Sequence, residues 1–238
     1  MKYMKATAFA VFSTLVASLL SLSADASNAT STWIGPSEGT EGSIFVDDSW
    51  NPAGRPTKEL IFTSAGIGKT ALIDKKAAHY VEAGLEWLEW EAYAIVGDNS
   101  GAFFGENTTN CIVWRAVKGE KEFATENGLD LVGGIHVASF GDSCTAGALR
   151  IEGGTHNVGG FWTPGVNIGQ YGVGYLELNS GTINSSGEII VSRSHEGTLV
   201  VGNGTDGGEA ATLSIAADAQ KWIKVTDVDG VTGHLISS

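Results

Sequence analysis

The sequence predicts an all-β chain whose C-terminal half is a right-handed parallel β-helix, a β-solenoid, joined to an irregular N-terminal β region. Three observations predict it. Glycine is abundant and proline scarce, 33 against 4, in a chain of ordinary 42% hydrophobic content. That composition suits many short strands joined by tight turns and does not suit a disordered chain. Short β-prone runs, such as residues 59–62 and 111–117, are bounded by turn-forming residues. From Leu129 onward a strand–glycine–strand pattern recurs, and a recurring pattern outweighs isolated local signals.

Residues 1–26 read as an export signal. Lys2 and Lys5 form a positive start, residues 6–22 are apolar apart from small hydroxyl side chains, and Ala24-Asp25-Ala26 supplies the small-x-small cleavage pattern. The apolar stretch is barely long enough for a membrane anchor, at roughly 17 residues, and the cleavage pattern follows it directly. The expectation is a mature chain starting at Ser27, with no membrane span after cleavage, located outside the cell, on its outer surface or in the periplasm. An N-terminal β-rich region, residues 27–127, then precedes the repeat region, residues 128–238. The net charge is −13, and cleavage, which removes Lys2, Lys5 and Asp25, makes the balance one unit more negative. Such a surface repels phosphate backbones and anionic headgroups, which argues against nucleic-acid or membrane-surface partners.

Residues 27–42 are small, polar and turn-rich, a leader into the fold. Strands are expected at 43–46 and 59–62, separated by the turn-forming residues 51–56. Between residues 71 and 96 the apolar positions fit helical spacing and strand spacing about equally. The strand-rich surroundings favour strand. Cys111 and Cys144 are the two cysteines; outside the cell they either form a disulfide or remain buried thiols.

The repeat compares three segments: LDLVGGIHV from Leu129, LRIEGGTHN from Leu149 and LELNSGTIN from Leu176, with weaker echoes at Leu199 and Leu213. The shared form is L-x-[LI]-x-x-G, an alternating strand followed by a glycine-centred corner. Spacings of twenty to thirty residues suit one turn of a β-solenoid, with alternate side chains facing the core. Leu129, Leu131, Leu149, Ile151, Leu176, Leu178, Leu199 and Val201 are the inward candidates. His136 and His156 share a repeat position and are expected to stack as a structural ladder. A β-sandwich would also give short strands, but it has no reason to repeat one corner in register.

The run GALRIEGGTHNVGG from Gly147, followed after residues 161–165 by VNIGQYGVGYLELNSGTINSSGEIIVSRSHEGTLVVGN to Asn203, resembles the repeats of autotransporter passenger domains. It equally resembles the β-strand repeats of large bacterial exoproteins. The resemblance covers about residues 128–216. It implies a parallel β-helix displayed outside the cell, adhesive or architectural, generally without an active site. No translocator barrel or sorting tail is visible up to residue 238. The expectation is therefore either a short secreted relative or the first part of a longer chain.

Several motifs invite a sharper reading. IHVASFGDSCTAG, residues 135–147, resembles the first block of the GDSL esterases, which would make Ser143 a nucleophile and place Gly147 near an oxyanion site. A serine needs a base within hydrogen-bond reach. That family's D-x-x-H and G-x-N-D blocks are absent: His234 follows Asp229 by five, and Asn203 lies in GNGTD. An esterase is therefore the minor alternative, and the main expectation is a protein that is not an enzyme. Residues 60–70 approach a phosphate-binding loop but carry Thr63 where glycine is required, so a turn between strands is the better reading. Residues 202–207 and 227–230 contain fragments of calcium-binding patterns without the rest of a ligand set. The histidines form no zinc pattern. No metal or other cofactor is expected. A carbohydrate-binding module is the second alternative, with Trp162 the candidate ligand-stacking residue and Trp33, Trp50, Trp87, Trp90, Trp114 and Trp222 assigned to core or cap. Expected partners are a cell-surface or extracellular polysaccharide or protein.

Overall fold

A computed structural model describes residues 27–74, 76–77, 93–97, 111–116, 127–138, 145–159, 164–202, 210–216, 222–226 and 229–237. The predicted export signal, Ser143, Cys144 and Trp162 lie outside the described residues, as do Asn203–Gly207 of one calcium-like fragment and residues 227–228 of the other. Among the described residues the chain is all-β with parallel sheets, and the only helical turns are 3-10 segments at Asp47–Ser49 and Ser64–Gly66. No helix among them is long and apolar enough to cross a membrane.

Sheet A runs in the order β3 (Trp50–Asn51), β1 (Ser27–Trp33), β4 (Arg55–Phe62), β7 (Tyr93–Val96), β10 (Gly134–Val137), β12 (Val166–Ile168), β14 (Ile189–Val191) and β17 (Ile223–Lys224). Every pair in it is parallel except β1 with β3. Sheet B runs β2 (Glu41–Ser43), β5 (Thr70–Ile73), β8 (Ile112–Ala116), β11 (Ala146–Val158), β13 (Val173–Ser185), β15 (Gly197–Val201) and β18 (Gly233–Ser237), parallel throughout. The far halves of β11 and β13 carry a third row of pairings. There β6 (Lys76–Ala77) pairs β9 (Gly128–Leu131), β9 pairs β11 at Asn157 and Val158, and β16 (Thr212–Ile215) pairs β13. Sheets A and B run on across residue 128, since β7 pairs β10 and β8 pairs β11.

Parallel pairing in register stacks like on like. In sheet A the column Trp33–Phe62–Val96–Val137–Ile168–Val191 is fully buried. In sheet B the columns are Ala71–Trp114–Ile151–Leu178–Val201 and Leu149–Leu176–Leu199–Leu235. The expected inward residues face the core as predicted, with Val201 only partly buried. At the ends the columns differ. Trp33 and Trp50 pack against Phe62 with centroids 5.8 Å away, which seals the first end. Leu235, last in its column, is 47% exposed, and Trp222 is 50% exposed rather than core.

Two expectations about register are corrected. Leu129 and Leu131 do not stack on Leu149 and Ile151; the strand that holds them pairs with the far half of β11, Leu131 opposite Val158, while Leu149 and Ile151 stack on Ile112 and Trp114. His136 and His156 accordingly do not form a ladder. His136 stands in sheet A between Ile95 and Asn167, and His156 stands opposite Ile183. The shared L-x-L-x-x-G-G string reaches its glycines by two routes. After Leu131 the chain turns at Val132 and Gly133, whereas β11 passes through Gly153 and Gly154 and keeps pairing beyond a register shift. The Leu213 echo likewise stacks on Ile183 and not on Leu199.

A second repeat explains how the last four strands of sheet B begin. Gly147, Gly174, Gly197 and Gly233 occupy one register column. Three of them pack against corner residues that follow sheet A. A Cβ on Gly147 would lie 2.7 Å from the nitrogen of Ala138, one on Gly174 2.5 Å from that of Gly169, and one on Gly197 2.5 Å from that of Ser192. Those corners are left-handed, with φ of 56° at Ala138, 75° at Gly169 and 71° at Ser192. Backbone hydrogen bonds hold the two non-glycine corners: Ala138 donates to Val96 at 2.6 Å and Ser192 to Ile168 at 2.9 Å.

The outer face of sheet B is charged and paired. Arg115 bridges Glu41 and Glu152, at 2.5 and 2.7 Å, and Arg150 reaches Glu177 through two nitrogens at 2.9 and 3.0 Å. Arg150 and Glu177 are directly opposite and mostly shielded, with side chains 18% and 15% exposed. Arg150→Ala is expected to lower stability by about 1–2 kcal/mol, measured by urea unfolding, because it strands a half-buried carboxylate. Removing a more exposed pair through Lys224→Ala, which faces Glu188 at 3.4 Å, is expected to cost no more than about 1 kcal/mol.

Candidate functional site

The third row of pairings builds a regular polar surface. Its strands repeat Thr-x-Asn at Thr155 and Thr182 and Thr-x-Ser at Thr212. Alternation turns the middle residues His156, Ile183 and Leu213 towards the core and the polar pair outward. Register then makes two columns: Thr155–Thr182–Thr212, and Asp130–Asn157–Asn184–Ser214. The second column lines an open groove of ≈ 350 Å³, edged by Val132, Ser186 and Ala216.

Within that groove the amides are oriented. Asn157 donates through Nδ2 to Oδ1 of Asp130 at 2.6 Å, and Asn184 donates through Nδ2 to Oδ1 of Asn157 at 3.1 Å. The Asp130 carboxylate, an acceptor only, fixes the direction of both bonds. Each amide keeps a second N–H, and Asn184 keeps its carbonyl oxygen, for a ligand. The floor is held by backbone pairing, and the Ser186 N–H donates to the Val158 carbonyl at 2.8 Å. This arrangement offers hydrogen bonds of both senses along a line and presents no nucleophile with a base.

Other predicted groups resolve into structural roles. The loop resembling a phosphate site is a turn between β4 and β5: Gly66 sits under the Trp33 ring, and the Lys69 ammonium donates to the Ile34 carbonyl. Cys111 is buried, and burial raises its thiol pKa above the usual value. Its proposed partner Cys144 is not among the described residues. No group of three or more His, Cys, Asp or Glu side chains able to hold a metal occurs among the described residues. His136 donates through Nε2 to the Gly133 carbonyl, 2.9 Å away, and burial lowers its pKa. Its neighbour Asn167 is fully buried and donates to Gln170 Oε1 at 2.7 Å.

His156 is sealed in the core rather than exposed for chemistry. Its Nε2 lies 3.2 Å from the Gly153 carbonyl, its Nδ1 has no partner, and the Trp114 ring is 6.1 Å away. Burial pushes its pKa down from 6.5 to about 4. The unfolded chain therefore takes up a proton near pH 6.5 that the folded chain refuses until about pH 4. This contribution to stability is undiminished above pH 6.5, falls as the pH drops through the window, and reaches a loss of about 3 kcal/mol at its lower end. His156→Leu is expected to abolish that part of the acid sensitivity. The comparison is the shift in urea midpoint between pH 7 and pH 5 for both proteins; equal shifts would refute it.

The chain matches no protein-family model, no curated protein and no solved structure. The groove was only partly legible in sequence. The G-T-x-N strings mark two of its strands, but Asp130 enters the column through a pairing the repeat alignment does not give.

Proposed function

We propose that the protein is an exported, non-enzymatic structural or adhesive module, a right-handed parallel β-helix of the autotransporter-passenger kind, displayed outside the cell. The parallel strands support the helical reading, since the chain returns to sheets A and B in turn and lays each new strand beside the last. The observation that carries the function is the in-register polar column from Asp130 to Ser214, which extends across four strands instead of converging on a reactive point. Polar side chains repeated at a strand spacing of about 4.8 Å suit recognition of an extended surface or polymer.

The test is expression of the full chain followed by cell fractionation, N-terminal sequencing and attachment of protein-coated beads to cell surfaces. The expected result is a chain outside the cytoplasm that begins at Ser27 and confers attachment. A chain kept inside with its first 26 residues, or esterase activity on p-nitrophenyl acetate abolished by Ser143→Ala, would overturn the proposal.

A further inference from the structure

We infer that the groove over Asp130, Asn157, Asn184 and Ser214 binds a neutral polysaccharide, laid across the strands along the amide column. This rests on the proposed adhesive role and names its site and ligand class. The lining chemistry selects the ligand. Amides and hydroxyls both donate and accept, and so do the hydroxyls of a sugar, whereas phosphate, sulfate and carboxylate only accept. An anionic polymer would also meet the Asp130 carboxylate in a chain of net charge −13. A lone carboxylate is a poor cation site, and Asp130 already receives the Asn157 amide at 2.6 Å.

The two bonds Asn184 to Asn157 and Asn157 to Asp130 run in one direction, so the remaining N–H groups are fixed before a ligand arrives. Such preorganisation lowers the ordering cost of binding. Volume agrees, since ≈ 350 Å³ lies at the small end of ligand sites. Val132 and Ala216 at the rim give the ring C–H faces an apolar edge. The adjacent Thr155–Thr182–Thr212 column runs beside the amide column on the same strands and widens the same polar face.

Affinity electrophoresis of the mature full-length protein through gels containing dextran, galactomannan or hydroxyethyl cellulose tests this, with polygalacturonate as the anionic arm. Retardation by at least one neutral polymer and none by polygalacturonate is expected. Asn157→Ala with Asn184→Ala is expected to weaken it about tenfold, through lost hydrogen bonds, with circular dichroism unchanged. Ser214→Arg fills the groove while leaving both asparagines in place, and the same loss is expected from it. Retardation unaffected in both variants, retardation by polygalacturonate alone, or none by any neutral polymer would overturn the inference. If beads coated with the wild-type protein still attach to cells in the last case, the adhesive role stands and the polysaccharide site fails.

Discussion

Gly181→Ala is expected to be among the most damaging single-methyl additions to this protein, at roughly 4 kcal/mol or more. Two costs coincide there. Gly181 has φ of +88°, and an added Cβ would lie 2.5 Å from the Gly153 carbonyl carbon and 2.6 Å from the Gly154 oxygen. Both obstacles are backbone, in the segment where the β11–β13 register shifts, so no rotamer change relieves them. Two further glycines separate the costs. Gly39 has φ of +77° with nothing within 4 Å of an added Cβ, so Gly39→Ala measures left-handed strain alone, about 1 kcal/mol. Gly174 has no positive φ but would place a Cβ 2.5 Å from the Gly169 nitrogen; Gly174→Ala measures the clash, roughly 3 kcal/mol. Urea unfolding of the three variants should rank them 181, then 174, then 39. A Gly181→Ala cost no larger than that of Gly39→Ala would mean that the close approach of β13 to the bulge is not a feature of the folded protein.

That glycine logic also marks how far the sequence could be read. The all-β class followed from glycine content and from the alternating leucines, because a column of identical inward side chains needs identical spacing within each strand. Leu149, Leu176 and Leu199 were legible for that reason. Leu129 was misaligned because L-x-L-x-x-G-G occurs in two different backbone settings, and residue identity does not distinguish a tight turn at Val132 and Gly133 from a bulge at Gly153 and Gly154. The more faithful marker is the glycine at or next to the start of the last four strands of sheet B. G-x-L recurs at Gly147, Gly174, Gly197 and Gly233, and the last of these places a strand in a tail that reads as merely polar. The groove was harder to find. Asn157 and Asn184 share a motif, but Asp130 joins them only through parallel pairing between residues 27 apart. The candidates at Ser143 and Trp162 came from isolated strings, and an isolated string carries no information about its partners.

Trp114→Ala is expected to cost about 3–5 kcal/mol, the range for deleting a large buried aromatic side chain. Trp114 is 1% exposed, lies between Ala71 and Ile151 in its column, and packs against Phe62 with ring centroids 5.2 Å apart. Phe62 in turn contacts Trp33 and Trp50, so the cavity would open into the cluster that seals the N-terminal end. Trp114 also walls in His156. The indole nitrogen of Trp114 has no partner, so Trp114→Phe removes a buried donor while keeping a ring, and its cost should be about 1–2 kcal/mol. Trp222, half exposed, is the reference, and Trp222→Ala should cost about 1 kcal/mol or less. The deletion at 114 has a second signature. A cavity beside the bare Nδ1 of His156 admits water, which relieves the desolvation that holds the imidazole near pKa 4. An NMR titration of His156 in Trp114→Ala should therefore move up towards 6.5, and the acid sensitivity of the variant should shrink accordingly. Loss of stability with an unchanged His156 titration would show that the neighbouring strands collapse into the space. Equal costs at 114 and 222 would contradict the packed core itself.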